Sequence, residues 1–346
     1  MSGPLYVPVL SARPHAADAY ARLRPDVQNA LMPVWNLLPR PGLQPAELVE
    51  KIRKDLAVVS KVQRYRPAWL DAPFASEDEA PVLAELLPEA SALGPLRPVT
   101  GPGRPEAQQT VALATARTSG DGLGIRVRVP GEWDERTTDR VRDLLERADP
   151  VVQVDLLLDL GTVRADRPDA GKEALRALDA LVPLAPWRNA AVLSGGFPDV
   201  TADLLDRGLY EEPRSDWRMW HEIRDSGRAY RMLLSYGDYG IQPAATITRP
   251  PSSGKGGPSW GFLRYTAGDA FMLGKMLARG DGRIEHNRAT ARELLAHPGF
   301  RGPAAGAAEG WLRNCAHGLG TGGTGLFATW LWVGNAQHMS YVVRSL

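Results

Sequence analysis

Short apolar runs alternate with longer stretches whose apolar residues recur every three or four positions, and the rhythm repeats through the first two thirds of the chain. The short runs are Tyr6–Leu10, Leu31–Leu37, Ala68–Pro73, Leu96–Thr100, Gly124–Val129, Val151–Leu160, Ala190–Leu193 and Met232–Tyr236. Between them lie amphipathic stretches at His15–Leu23 and at Pro45–Lys61, where Leu48, Ile52, Leu56 and Val59 form one stripe. Another opens at Ser76 with Glu79 three positions on, the spacing of a capping box. Pro105–Arg117, Asp134–Arg147, Gly171–Val182 and Asp216–Ser226 continue the series. Strands that alternate with helices imply a parallel sheet with crossover helices. Eight repeats over residues 5–240 match the roughly 250 residues of a (β/α)8 barrel. An open doubly wound sheet would prefer a glycine-rich loop after its first strand, and Ser11-Ala12-Arg13-Pro14 is not one. The pattern therefore predicts an α/β fold, a (β/α)8 TIM-like barrel over residues 1–245.

After residue 240 the rhythm breaks. Pro250–Pro258 reads as a loop, Trp260–Thr266 as a strand, and Asp269–Ala278 and Asn287–Leu295 as helices. A glycine-rich stretch, Gly318–Gly325, lacks the lysine of a phosphate loop and leads into Leu326–Val333 and a last apolar run, His338–Val343. Residues 246–346 are predicted to form a C-terminal α+β appendage packed on the barrel, not an independently folding unit.

Composition narrows the partners. Lys+Arg 41 against Asp+Glu 40 leaves a formal charge of +1. That removes the strongest argument for an obligatory nucleic-acid or anionic-membrane partner, while a local patch keeps nucleic acid open. A hydrophobic content of 44% with 23% charged residues fits a packed globular chain and excludes disorder throughout. The single cysteine, Cys315, excludes an internal disulfide and a cysteine-clustered metal site, although His317 beside it suggests a thiol nucleophile. No basic stretch precedes a long apolar one at the N-terminus, and no apolar run approaches the ~20 residues of a membrane span. The expectation is a cytoplasmic protein with no membrane partner.

Barrel active sites lie at the C-terminal ends of the strands. Those ends are Asn36, Asp71, Thr100, Arg128, Asp159, Ser194 and Asp238. Asp71, Asp159 and Asp238 are the candidate catalytic residues: three converging carboxylates hold Mg2+ or Mn2+, or divide into a general acid and a general base. The bland alternative is that aspartates favour turns at strand ends. Arg126 and Arg128 share one face of their strand, and Asp155 and Asp159 share one face of the next. If both faces point inward, an Arg/Asp layer forms, with Arg128 and Asp159 meeting a ligand while Arg126 and Asp155 hold them. As a plain ion-pair network it would be structural. Ser194-Gly195-Gly196 and Gly237-Asp238-Tyr239-Gly240 present backbone N–H groups that can cradle an anion, with Arg128 adding charge. Asp238 opposes phosphate there unless a metal intervenes. Asn36, Arg126, Arg128, Ser194, Gly195, Gly196, Tyr239, Arg264 and His338 complete the candidate ligand-binding set.

Tyr6-Val7-Pro8-Val9-Leu10, the Val154–Gly161 strand, Gly237-Asp238-Tyr239, Arg264-Tyr265-Thr266 and Trp332–His338 together resemble the beta protein family of phages and bacterial genomes. The resemblance implies association with a phage-related or anti-phage defence locus and a protein partner encoded there. It supplies no established reaction, so no catalytic residue is carried over. The family pattern closes on two adjacent histidines; this chain has Gln337-His338, which counts against a metal role there. The leading expectation is a barrel that binds an anionic or nucleotide-like ligand, or a partner protein, at its mouth. One alternative is a metal-dependent phosphodiester hydrolase using Asp71, Asp159 and Asp238. The other is a non-catalytic scaffold whose appendage, with Trp311, Trp330 and Trp332, forms an interface. The sequence leaves open whether the protein is an enzyme and how it oligomerises.

Overall fold

The computed structural model describes residues 3–206, 208–247 and 258–346. Its elements run β1 (Tyr6–Ser11), α1 (Pro14–Ala21), α2 (Pro25–Ala30), β2 (Val34–Asn36), α3 (Pro45–Val62), β3 (Ala68–Asp71), α4 (Ala80–Leu93), β4 (Leu96–Thr100), α5 (Glu106–Ser119), β5 (Leu123–Arg128), α6 (Glu135–Arg147) and β6 (Val154–Thr162). The chain continues through α7 (Ala170–Leu181), β7 (Asn189–Gly195), β8 (Tyr210–Pro213), α8 (Ser215–Arg224), β9 (Leu234–Asp238) and α9 (Ala244–Ile247). Then follow β10 (Trp260–Ala267), β11 (Ala270–Leu277), α10 (Arg283–Ala296), α11 (Ala307–His317) and α12 (Phe327–Ser345).

β1 to β7 and then β9 pair in parallel and close into a barrel, with β9 joining both β7 and β1. The eight-strand expectation is borne out. Helices cover the outside, so both strand faces are buried and the runs read as nearly continuous apolar sequence. Local signals set the helix starts: Glu79 accepts from the Ser76 N–H at 2.9 Å, and the Asp134 side chain accepts from the Arg136 N–H. Val7, Val9, Val34, Trp69, Val99, Leu157, Ala191 and Leu193 pack together in the interior. Gly124 makes room for the largest of them, since a Cβ there would lie 2.9 Å from Trp69.

β8, absent from the sequence-based prediction, leaves the last crossover of the barrel and joins β11 and β10 in a separate three-stranded sheet. The predicted helix over Asp269–Ala278 is instead β11, paired antiparallel with β10 from Trp260↔Leu277 to Ala267↔Ala270. Both faces of β11 are covered: Phe271, Met272 and Leu273 are all buried, so the period of two that marks a half-exposed strand is missing. Leu326–Val333 and His338–Val343 belong to one continuous helix, α12, which packs on β10, α1 and α11. The predicted loop at Pro250–Pro258 falls, through Gly257, outside the described residues. Among the described residues no helix is long and apolar enough to cross a membrane.

Candidate functional site

The barrel mouth is organised by one guanidinium. Arg126, on β5, points inward and is 6% exposed. Its Nε donates to Asp159 Oδ2 at 3.0 Å, and one terminal nitrogen donates to Asp71 Oδ2 at 2.7 Å and to Asn36 Oδ1 at 3.3 Å. The other donates to the Tyr239 hydroxyl at 2.5 Å, which in turn donates to Asp159 Oδ1 at 2.7 Å. Arg104 grips both oxygens of Asp71 at 3.0 Å. The Gly161 N–H reaches back to Asp159 Oδ1 at 2.9 Å where β6 bulges, and its φ of +64° suits glycine.

The electrostatics follow from this pairing. Burial alone would raise the Asp159 pKa, but Arg126, the Tyr239 hydroxyl and the Gly161 N–H outweigh it and hold it below the usual range. Burial would likewise strip the proton from Arg126, yet Asp159 and Asp71 keep it firmly charged. Burial pushes the Tyr239 phenol up, so it stays protonated at neutral pH and can donate.

Above this layer a cavity of about 560 Å3 opens, lined by Arg104, Arg126, Arg128, Arg140, Asp159 and Tyr239 among others. Four arginines against Asp159 and the deeper Asp71 leave the rim positive. Arg128 and Arg140 are exposed, and among the described residues neither makes an ion-pair contact with a carboxylate, although the charge of Arg128 adds to the lowering of the Asp159 pKa. The loop after β4 supplies Arg104 and α6 supplies Arg140. Neither was among the candidates drawn from the sequence: Arg104 lies past the end of its strand and Arg140 on a helix, and neither position is marked by the strand-end rule.

The predicted triad of carboxylates does not converge. Asp71 and Asp159 share Arg126, whereas Asp238 lies on the other face of the barrel wall, bonded to Tyr6 and His338. Alternation along the strand is the reason: Tyr239 turns into the mouth, so Asp238 turns out. Among the described residues no three His, Cys, Asp or Glu side chains are grouped to hold a metal ion. The expected Arg126–Asp155 pair is also corrected. The β5–β6 register sets Arg126 opposite Leu157 and Gly124 opposite Asp155. Asp155 therefore sits towards the other end, held by Arg188 at 2.5 Å, Arg97 at 3.3 Å and the Trp69 indole at 3.0 Å. Arg128 stands opposite Asp159 in register and forms no ion pair with it.

Of the other predicted residues, Asn36 lines the cavity. Gly195 packs beneath Tyr239 and Ala244, while Ser194 faces outward and Thr100 bonds Gln108 on α5. Gly196 abuts a carboxylate rather than an open anion cradle: a Cβ there would lie 2.0 Å from Asp216 Oδ1. Arg264 stacks on Phe262 at 3.8 Å, and burial lowers its pKa to about 9. Cys315 is buried in α11, which pushes its thiol up to about 11 and leaves it un-ionised at neutral pH.

A second polar network joins the outer wall of the barrel to the appendage. Asp238 accepts from the Tyr6 hydroxyl at 2.5 Å and the Gly240 N–H at 2.9 Å, and pairs with His338 Nε2 at 2.9 Å. His338 Nδ1 meets the Thr266 hydroxyl at 2.7 Å, and the Gln337 amide bonds both the N–H and the C=O of Thr266. Thr266, His338 and Asp238 line up as a nucleophile, a base and an acid would, but they are buried to 0, 0 and 1% exposure. They pin α12 and β10 to the barrel. Burial would raise the Asp238 pKa, but His338, Arg214 and Tyr6 overcome it and hold it at about 2. Arg214 and Asp216 extend the network through the Tyr236 hydroxyl, at 3.1 and 2.7 Å.

The molecule is thus a closed parallel (β/α)8 barrel with an arginine-rimmed mouth and an appendage pinned to β9 by a buried polar contact between His338 and Asp238. It belongs to the Beta protein family, whose model matches residues 6–344. Similar solved structures include mutant tryptophan synthase alpha-subunits from the hyperthermophile Pyrococcus furiosus. One is 12% identical with a TM-score of 0.44, covering 71% of this chain and 90% of that one. Another is 13% identical with a TM-score of 0.42, covering 71% and 96%. No curated protein matches the chain.

Proposed function

We propose that the barrel mouth binds a small phosphate-bearing, nucleotide-like ligand. The observation that carries this reading is the pair Arg128 and Arg140, which among the described residues make no ion-pair contact with a carboxylate and line a cavity of about 560 Å3 at the end of the barrel where such folds bind ligands. Beneath them Arg126, Asp71, Asp159 and Tyr239 satisfy one another, so they serve as a rigid floor that orients the free cations. Asn36, whose carbonyl oxygen alone is engaged by Arg126, lines the same cavity and offers its amide nitrogen to the ligand's polar body. The family resemblance supports a place at a phage-related or anti-phage locus, acting inside the cell with a protein encoded beside it. Hydrolysis by three carboxylates around a metal is not favoured, because Asp238 faces away from Asp71 and Asp159.

Thermal unfolding with inorganic pyrophosphate, ADP and adenosine tests the reading. A ligand at a hundred times its Kd stabilises the folded state by about 2.7 kcal/mol. Pyrophosphate and ADP should raise the melting temperature and adenosine should not. No shift with either anion, or an equal shift with adenosine, would sink the proposal.

A further inference from the structure

Of the six phenylalanines, five stand against another ring: Phe197 against Phe262 and Phe271, Phe300 against Tyr265, and Phe327 against Trp330. Phe74 is the exception among the described residues, with neither a ring nor a cation set against it. It lies three residues beyond β3, on the wall of the cavity at the mouth, and is only partly buried. It also lines a small cavity of about 20 Å3 together with Leu38, Ile52 and Leu83, so hydrocarbon backs the ring. The other aromatic residue of the mouth wall, Tyr239, is committed through its hydroxyl to Arg126 and Asp159. Pro73 and Pro102 continue the wall on the Phe74 side and keep it apolar.

The strand order separates this ring from the cations. β3, β4 and β5 are neighbours, so the strand that leads to Phe74 and the strand that ends in Arg128 stand two strand spacings apart, about 10 Å. Arg140 lies on α6, the helix that follows β5. A ribose carrying a phosphate chain spans such a gap. Stacking of a base on an aromatic side chain strengthens binding by about five- to a hundredfold, and every base has a face to offer. We infer that the ligand of the mouth is a nucleoside diphosphate or triphosphate whose base stacks on Phe74 while its phosphates meet Arg128 and Arg140. The inference rests on the reading of the mouth as a phosphate-binding site and assigns the side of the cavity that takes the base.

Calorimetric titration of the full chain with ADP, and with pyrophosphate as the same charge without the base, separates the two claims. The native protein should bind ADP at least fivefold more tightly than pyrophosphate. Phe74→Leu keeps an apolar side chain but removes the aromatic face, and it should weaken ADP at least fivefold and pyrophosphate less than twofold. Phe74→Trp, which restores a face, should hold ADP at least as tightly as the native chain. Melting temperatures of both variants check that each is folded. Pyrophosphate binding with ADP less than fivefold tighter, or Phe74→Leu weakening both ligands alike, would overturn the stacking inference and leave the phosphate site standing. Binding of neither ligand would overturn both.

Discussion

At Arg126 a guanidinium with 6% exposure meets two carboxylates, an amide and a phenol, so its charge is balanced before any ligand arrives. Replacing it with methionine would leave Asp71 and Asp159 buried with less compensation, a change that typically costs about 3–5 kcal/mol. Urea unfolding of Arg126→Met should show that loss; a change below about 1 kcal/mol would contradict the floor role. Arg128→Ala touches an exposed cation and should move stability by no more than about 0.5 kcal/mol while weakening the ligand. Asp238 gives a pH signature. Its folded pKa of about 2 lies below the unfolded value of ~3.9, so it contributes about 2 kcal/mol above that value, lost as pH falls through 2. Denaturant titrations at pH 7, 4 and 2 should show a steeper acid loss for the native chain than for Asp238→Asn. Parallel curves would remove Asp238 from the account. That Arg126 shares a face with Arg128, and Asp159 with Asp155, was legible from alternation; that both faces point inward was only a condition of the reading. Which side of the wall Asp238 faces was not legible, because that depends on the phase in which β9 enters the barrel.

Among the elements, the barrel strands announced themselves, since each is an apolar run set between amphipathic helices. β11 did not. Its Met, Leu, Lys and Ala residues favour helix in isolation, and only its pairing with β10 makes it a strand. β8 is four residues long with alternate positions exposed, and its sequence carries two glutamates and a proline. Such a segment has no signal until β11 lies beside it. The contact that fastens α12 is Gln337, whose amide imitates a neighbouring strand by bonding both backbone groups of Thr266 at 2.7 and 2.8 Å. Gln337→Leu removes both bonds in a buried place and should cost about 2–4 kcal/mol, read from chemical unfolding. A neutral substitution would mean that α12 is held by apolar packing alone.

For the whole molecule, segments far apart in sequence that carry the family resemblance meet at one junction: Tyr6, Asp238, Thr266 and His338 form a continuous chain of contacts. A fifth segment supplies Asp159 to the mouth. The resemblance could be read from sequence, but the meeting could not, because separations of 72 to 232 residues carry no periodic signal. We propose that the barrel depends on its appendage. A chain ended at residue 245 loses His338, one of the partners of Asp238, and the two strands that pair beside β8, so it should be insoluble or melt without cooperativity; a soluble, cooperatively folding barrel would refute this. The central claim concerns the mouth, and calorimetric titration with ADP tests it most directly. The native protein should bind one ADP per chain with affinity that falls as salt rises, and Arg128→Ala with Arg140→Ala should weaken binding by about a hundredfold, since a charged hydrogen bond is worth about 1.5–3 kcal/mol. Binding that ignores both arginines and the salt, or no binding at all, would contradict the account.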